Sequence, residues 1–88
     1  MIMNLMERHA ADAYDRLKGA IKEFTDSPQH REDAIVYALN RLPPKYVVTN
    51  EGKVLTEVLL DGDQHRAAID VQVLEAMRHV ARRPRVTA

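Results

Sequence analysis

The stretch "ALNRLPPKYV", residues 38–47, decides the fold, because a run with helical spacing meets two prolines there. Proline disfavours the α region for the residue before it, so Pro43 requires the preceding helix to end near Arg41. Lys45 and Tyr46 follow the prolines directly. The stretch therefore predicts a rigid corner that presents an arginine, a lysine and an aromatic ring.

The segment ahead of this corner predicts a helix over roughly 30–41. Tyr37 and Arg41 lie four residues apart, so a ring and a guanidinium are expected to project together from one face. An arginine here also suits the free carbonyl groups of a helix C-terminus, which is the competing structural interpretation. The apolar spacing predicts a separate buried side, made of Ile35, Val36, Leu39 and Leu42.

Two longer segments also show helical periodicity. Residues 2–24 predict one helix, and residues 64–82 predict another that Pro84 prevents from continuing. The predicted buried side of the first comprises Ile2, Met6, Ala10, Ala13, Leu17, Ala20, Ile21 and Phe24. That of the last comprises Ile69, Val73, Met77 and Val80.

The segment just after the corner has two interpretations. A hairpin is one, because residues 50–52 resemble a turn between β-branched runs. The other is a short extended piece at 46–49 followed by a helix at 51–60. The period does not decide between them for so short a run.

The chain is short enough to form a single domain, 1–88. A domain of this size buries only about 60–65% of the surface that its unfolded chain exposes. It contains no cysteine, so no disulfide can stabilise it. Pairing with a second copy is the simplest way to enlarge the core, and a homodimer is expected.

Charge and hydropathy narrow the classes of partner. Thirteen basic and thirteen acidic side chains cancel, whereas a general duplex-DNA binder normally carries a basic excess. We therefore expect no nucleic-acid partner. No secretory signal pattern and no run near 18 apolar residues is present, which predicts a cytoplasmic protein without a membrane span.

Neither catalysis nor metal binding is predicted. The chain has no cysteine nucleophile and no Gly-rich phosphate loop. Ser27 stands beside a proline without an obvious base. The four histidines lie far apart in sequence, with no spacing typical of metal ligands. We expect no enzyme activity, no catalytic residue, no metal and no cofactor.

The segment "DAIVYALNRLPPKYVVTNEGKV", residues 33–54, resembles the signature of the late-competence ComFB family. The segment "LLDGDQHRAAIDVQVLEAMRHVARRPR", residues 59–85, is similar to the last helix of that family. The resemblance implies a small, all-α homodimer with about four helices. It favours helix after the corner, with a short extended segment or hairpin near 46–56 as the remaining alternative.

The same resemblance implies a ligand. Cyanobacterial relatives with a motif similar to "YALNRLPP", residues 37–44, are receptors for the second messenger cyclic di-GMP. The Bacillus branch carries zinc-binding cysteines in the loop ahead of the second helix. Here that loop reads "TDSPQHRED", residues 25–33, without cysteine, so the zinc site does not carry over.

The residue types around the corner suit this ligand. Arginine and lysine bind phosphate, and arginine also reads the O6 and N7 atoms of guanine. Tyrosine stacks on purines, and aspartate accepts hydrogen bonds from the guanine N1–H and amine. The candidate binding residues are Arg31, Asp33, Tyr37, Asn40, Arg41, Lys45, Tyr46 and Arg66.

The predicted function is thus a cyclic di-GMP receptor that acts as a ligand-responsive dimer and regulates an unidentified partner protein. The alternative is a protein–protein adaptor in competence or DNA uptake that binds no nucleotide. A third hypothesis is a nucleic-acid accessory protein that uses the arginine-rich tail, whose signature would be a steep salt dependence.

Overall fold

Over the residues that the structure describes, three helices pack around one core, and a two-stranded sheet lies beside them. The computed structural model describes residues 1–48 and 63–82. In chain order, the elements are β1 Ile2–Asn4, α1 Leu5–Leu17, α2 Pro28–Leu39, β2 Tyr46–Val48 and α3 Asp63–Arg82. The predicted hairpin turn at 50–52 and the predicted helix at 51–60 lie outside the described residues.

The first helix is shorter at both ends than the predicted 2–24. Asn4 takes an extended conformation, and its side-chain oxygen accepts a hydrogen bond from the Met6 N–H at 3.1 Å. This N-cap starts the helix at Leu5, because it satisfies one of the donors that a helix N-terminus leaves free. Lys18 ends the helix, and Gly19 follows it. The prediction of helix for residues 2–4 was therefore wrong.

Strands β1 and β2 pair in the antiparallel sense. Ile2 lies opposite Val48, Met3 opposite Val47, and Asn4 opposite Tyr46. The predicted extended piece after the prolines is confirmed over 46–48. The expectation of an all-α protein needs correction, since the described chain is mostly helical with this small sheet.

The core is built mainly from the three helices. The buried stripe predicted for α3, comprising Ile69, Val73, Met77 and Val80, is confirmed. Tyr14 and Leu5 of α1 are fully buried, although the predicted apolar side of that helix included neither of them.

The buried face of α2 differs from the predicted one. Ala34 and Ala38 are buried on it, whereas Val36 is 55% exposed. Alanines leave room for close approach of a neighbouring helix, so the small residues, rather than the larger apolar ones, form the contact. Leu42 is buried as predicted, and Ile35 and Leu39 are partly buried.

Two polar contacts tie the helices and the following loop together. The Tyr14 hydroxyl donates to Asp26 at 2.5 Å, and burial followed by this hydrogen bond raises the pKa of Tyr14. The same bond, helped by Lys18, lowers the pKa of Asp26. Arg16 of α1 donates from its two terminal guanidinium nitrogens to the Asp70 carboxylate of α3, at 2.7 and 3.3 Å. These contacts fix α1 against α3 and against the loop that leads to α2.

Candidate ligand-binding site

Tyr37 and Arg41 project together from the C-terminal end of α2, as their spacing predicted. The Arg41 guanidinium carbon lies 3.6 Å from the centre of the Tyr37 ring. Its Nη1 donates a hydrogen bond to the Tyr37 carbonyl oxygen at 3.2 Å. The arginine therefore covers one face of the ring, as a cation–π pair, and also satisfies a carbonyl group near the helix end.

His79 of α3 stacks on the same ring. The centres of the two rings are 4.3 Å apart, and their planes differ by 26°. Two planar groups centred this close to one ring cannot share a face without overlapping, so His79 and Arg41 lie on opposite faces of Tyr37. His79 is not among the site residues predicted from the sequence, because no local pattern indicates a contact between residues so far apart in the chain.

A groove of about 450 Å³ opens between α2 and α3 beside this stack. This volume falls in the range of small-molecule sites, roughly 300–1,000 Å³. The carboxylates of Glu32 and Asp33 line it, together with the edge formed by Tyr37 and His79. The remaining lining residues are Val36, Asn40 and Val80. The groove thus offers hydrogen-bond acceptors and aromatic edges.

The backbone of the corner is fixed at both ends. The Asn40 and Arg41 N–H groups donate to Val36 and Ala38 carbonyls, which tightens the last turn of α2. Beyond the prolines, the Lys45 N–H donates to the Asn4 side-chain oxygen at 2.8 Å. The Lys45 carbonyl accepts from the Leu5 N–H, also at 2.8 Å. The corner is therefore anchored to the start of α1 before any ligand arrives.

The structure gathers only some of the predicted site residues around the groove. Asp33, Tyr37 and Asn40 line it, and Arg41 lies next to it on the far face of Tyr37. The side chains of Lys45 and Tyr46 are beyond the prolines, where Tyr46 is 66% exposed in β2.

The two remaining candidates lie elsewhere. Arg31 turns towards α1, where it pairs with Asp15 at 3.7 Å and lies over the Tyr14 ring at 5.5 Å. Arg66 is exposed in the first half of α3. Neither lines the groove, so a direct role for them requires a contact that the described residues of one chain do not make.

An apolar surface lies on the two-stranded sheet, away from the helical groove. Ile2 and Val48 are each 74% exposed there, and they form a shallow hollow of about 240 Å³ with Tyr46 and Val47. We call these four residues the sheet patch. In the parts of the chain that the structure describes, no helix is both long and apolar enough to cross a membrane.

Comparison with known proteins gives a family and a fold. A family model described as "Late competence development protein ComFB" matches residues 3–84. No curated protein matches the chain. A solved structure, described as that of the late competence protein ComFB from Bacillus subtilis, superposes with a TM-score of 0.84 at 22% identity. The match covers 97% of this chain and 93% of that one.

Proposed function

The chain belongs to the ComFB family of late competence development proteins, and on this basis we propose that it is a receptor for cyclic di-GMP. In this role it acts as a cytoplasmic homodimer that changes its interaction with a partner protein when the messenger binds. It carries out no chemical step on the ligand. The groove supplies hydrogen-bond acceptors for the bases of this ligand, and the proline corner supplies cations for its phosphates.

The observation that carries the proposal is that acceptors and donors lie on either side of Tyr37. Asp33 and Asn40 line the groove, where the carboxylate can accept from the N1–H and amine of a guanine. Arg41 lies outside the groove, where its guanidinium can reach phosphate without facing the acidic lining. Cyclic di-GMP carries both kinds of group, and its two guanines and two phosphates alternate around a ring.

The fixed corner favours binding for a separate reason. A ligand loses affinity when it must order the segments that hold it. Here two prolines and the hydrogen bonds from Lys45 to the Asn4 side chain and the Leu5 backbone already hold the chain between Arg41 and Tyr46. Lys45 then adds a second cation near Arg41 along the chain. Little ordering of the corner is left for the ligand to impose.

Arg31 and Arg66 enter the proposal only through the dimer. Both have guanidinium groups outside the groove of their own chain. A two-fold symmetric messenger suits a two-fold axis between protomers, and a second copy can then supply an arginine to it. Arg31 and Arg66 therefore remain predicted ligand residues, each contributed by the second protomer.

Calorimetric titration of the purified protein tests the proposal, with cyclic di-AMP and GTP as comparison ligands. We expect micromolar or tighter binding that is selective for cyclic di-GMP. Arg41→Ala removes a charged hydrogen-bond donor, and we expect at least about tenfold weaker binding. Arg78→Ala is the matched control, because Arg78 is an exposed arginine of α3 that pairs with Glu75. Absence of heat at ~100 µM ligand would refute the receptor role. At this concentration, only ligands with a binding free energy weaker than about 5 kcal/mol begin to escape detection.

The sheet patch favours a second candidate function, the protein–protein adaptor in competence or DNA uptake. Exposed apolar groups that lie together often mark interaction sites. For an adaptor that binds no nucleotide, Val48→Lys would abolish partner capture, while Arg41→Ala would mainly affect folding or dimerisation. Messenger binding that is weakened by Arg41→Ala would favour the receptor instead.

A further inference from the structure

We propose that Arg41 covers the stacking face of Tyr37 in the free protein and exchanges with a guanine when the messenger binds. The inference rests on the proposed function and adds how the site works. One movement of Arg41 uncovers the ring for one base and brings the guanidinium to a phosphate. His79 stays on the opposite face as a positioning residue.

The exchange follows from the occupancy of the Tyr37 ring. Arg41 at 3.6 Å and His79 at 4.3 Å cover its two faces. A purine needs a whole ring face for stacking, and neither face is open in the free protein. Any stacking of guanine on Tyr37 therefore requires one of these two groups to leave.

Arg41 is the group that can leave more easily. It is exposed at the end of α2, and among the residues that the structure describes its polar contacts are one exposed hydrogen bond and the ring itself. A cation–π contact at an exposed position is weak, and water replaces the hydrogen bond. His79, in contrast, is half-buried between the buried neighbours Met77 and Val80 of α3. Moving His79 would disturb the helix contact on which the groove depends.

The exchange also explains why one ligand must carry both base and phosphate. A nucleoside alone would have to displace Arg41 without offering it a new partner. A phosphate alone would draw Arg41 away and leave the ring uncovered. Cyclic di-GMP offers a phosphate to Arg41 and a guanine to Tyr37, while Asp33 and Asn40 in the groove contact the edge of the second guanine.

Proton NMR of the full chain tests the exchange through ring currents. A methylene next to a guanidinium that lies over an aromatic ring resonates upfield. In the free protein, we expect the Arg41 δ-protons upfield of their position in Tyr37→Leu. On saturation with cyclic di-GMP, they should move downfield to that position, while the Tyr37 ring protons move upfield under the guanine.

The chain contains its own control for this measurement. The ring of Phe24 lies edge-on to that of Tyr14 in the core, with the ring centres 5.9 Å apart. The Phe24 ring protons report general changes of the protein on titration, and we expect them to shift less than the Arg41 δ-protons. The His79 ring protons should keep their upfield position, since His79 remains on Tyr37.

Each outcome has a definite meaning. If the messenger binds and the Arg41 δ-protons stay upfield, the exchange is wrong and the receptor function stands. An Arg41 signal that is not upfield in the free protein shows that the stack is absent in solution, which also overturns the exchange. If cyclic di-GMP causes no shift anywhere and no heat, the proposed function itself fails.

Discussion

Asn4 joins the start of α1 to the chain beyond the prolines through one side-chain oxygen. That oxygen accepts from Met6 at 3.1 Å and from Lys45 at 2.8 Å. Loss of an N-cap costs about 1 kcal/mol, and an unsatisfied part-buried N–H adds about 1 kcal/mol or more. We expect Asn4→Ala to lower the free energy of unfolding by about 2 kcal/mol in urea denaturation.

Asn4→Asp separates this explanation from a general loss of packing. Aspartate keeps an oxygen in the same place and should retain most of the stability. Asn40→Ala serves as a surface control, since the Asn40 side chain is exposed at the C-terminal end of α2. A loss below about 0.5 kcal/mol in Asn4→Ala would contradict the role given to this oxygen.

Because of Tyr14, the stability of the protein is expected to fall as the pH rises into the alkaline range. Burial and the hydrogen bond to Asp26 raise its folded-state pKa above the usual value of about 10. Above pH 10 the unfolded chain loses the phenolic proton while the folded protein keeps it. Deprotonation therefore favours unfolding, and this contribution is complete below pH 10 and is lost as the pH rises.

Urea midpoints measured from pH 8 to about 11 check this expectation. Tyr14→Phe should be less stable at pH 8 and should show a shallower decline above pH 10. Tyr46→Phe, at an exposed tyrosine in β2, should decline as the unsubstituted protein does. Equal slopes for Tyr14→Phe and the unsubstituted protein would refute the effect.

At the scale of the element, α2 depends on alanines for its contact with the core. Ala38 is fully buried, while Val36 is half-exposed on another face. A larger side chain at Ala38 has to displace its neighbours, which costs about 1–3 kcal/mol. We expect Ala38→Leu to destabilise by this amount in urea denaturation and Val36→Leu to change stability by less than about 0.5 kcal/mol. A larger loss of stability in Val36→Leu than in Ala38→Leu would instead support the buried face that the sequence predicts.

The elements differ in how far their sequences predict them. The buried stripe of α3 follows from its period, because the helix is long and its apolar residues recur regularly. The start of α1 has a local signal, Asn4 with Glu7 three residues later, which is typical of an N-terminus. The helical spacing of apolar residues extends back to Ile2, however, and so predicts a start earlier than this signal does. The face of α2 depends on the space between helices, which no local pattern records.

The candidate site divides in the same way. The pairing of Tyr37 with Arg41 is local to one helix, so their four-residue spacing predicts it. The stacking of His79 and the groove lining from Val80 depend on how α3 packs against α2. Arg31 has the right chemistry for the ligand, but its position on α2 directs it to Asp15 of α1. Residue type predicts candidates, whereas packing decides which of them meet.

For the whole molecule, the sheet patch predicts association. A domain of this size has a limited core, and exposed apolar side chains at Ile2 and Val48 add area that a second copy can bury. We expect sedimentation analysis to show a dimer, and Val48→Lys to shift it towards monomer. Val71→Lys, at a 60% exposed valine of α3, should leave the dimer intact. A monomer at all concentrations would contradict this prediction.

The pairing of β1 with β2 has a consequence for the order of folding. Asn4 and Lys45 are 41 positions apart, so the sheet closes a long loop for few hydrogen bonds, and a pair of such short strands is marginal alone. The helices must meet first and bring the strands together. Substitutions in β1 or β2 should then accelerate unfolding and leave the refolding rate nearly unchanged, with φ-values near zero. The sheet would open first when the protein unfolds, so the anchor of the proline corner would be lost before the core.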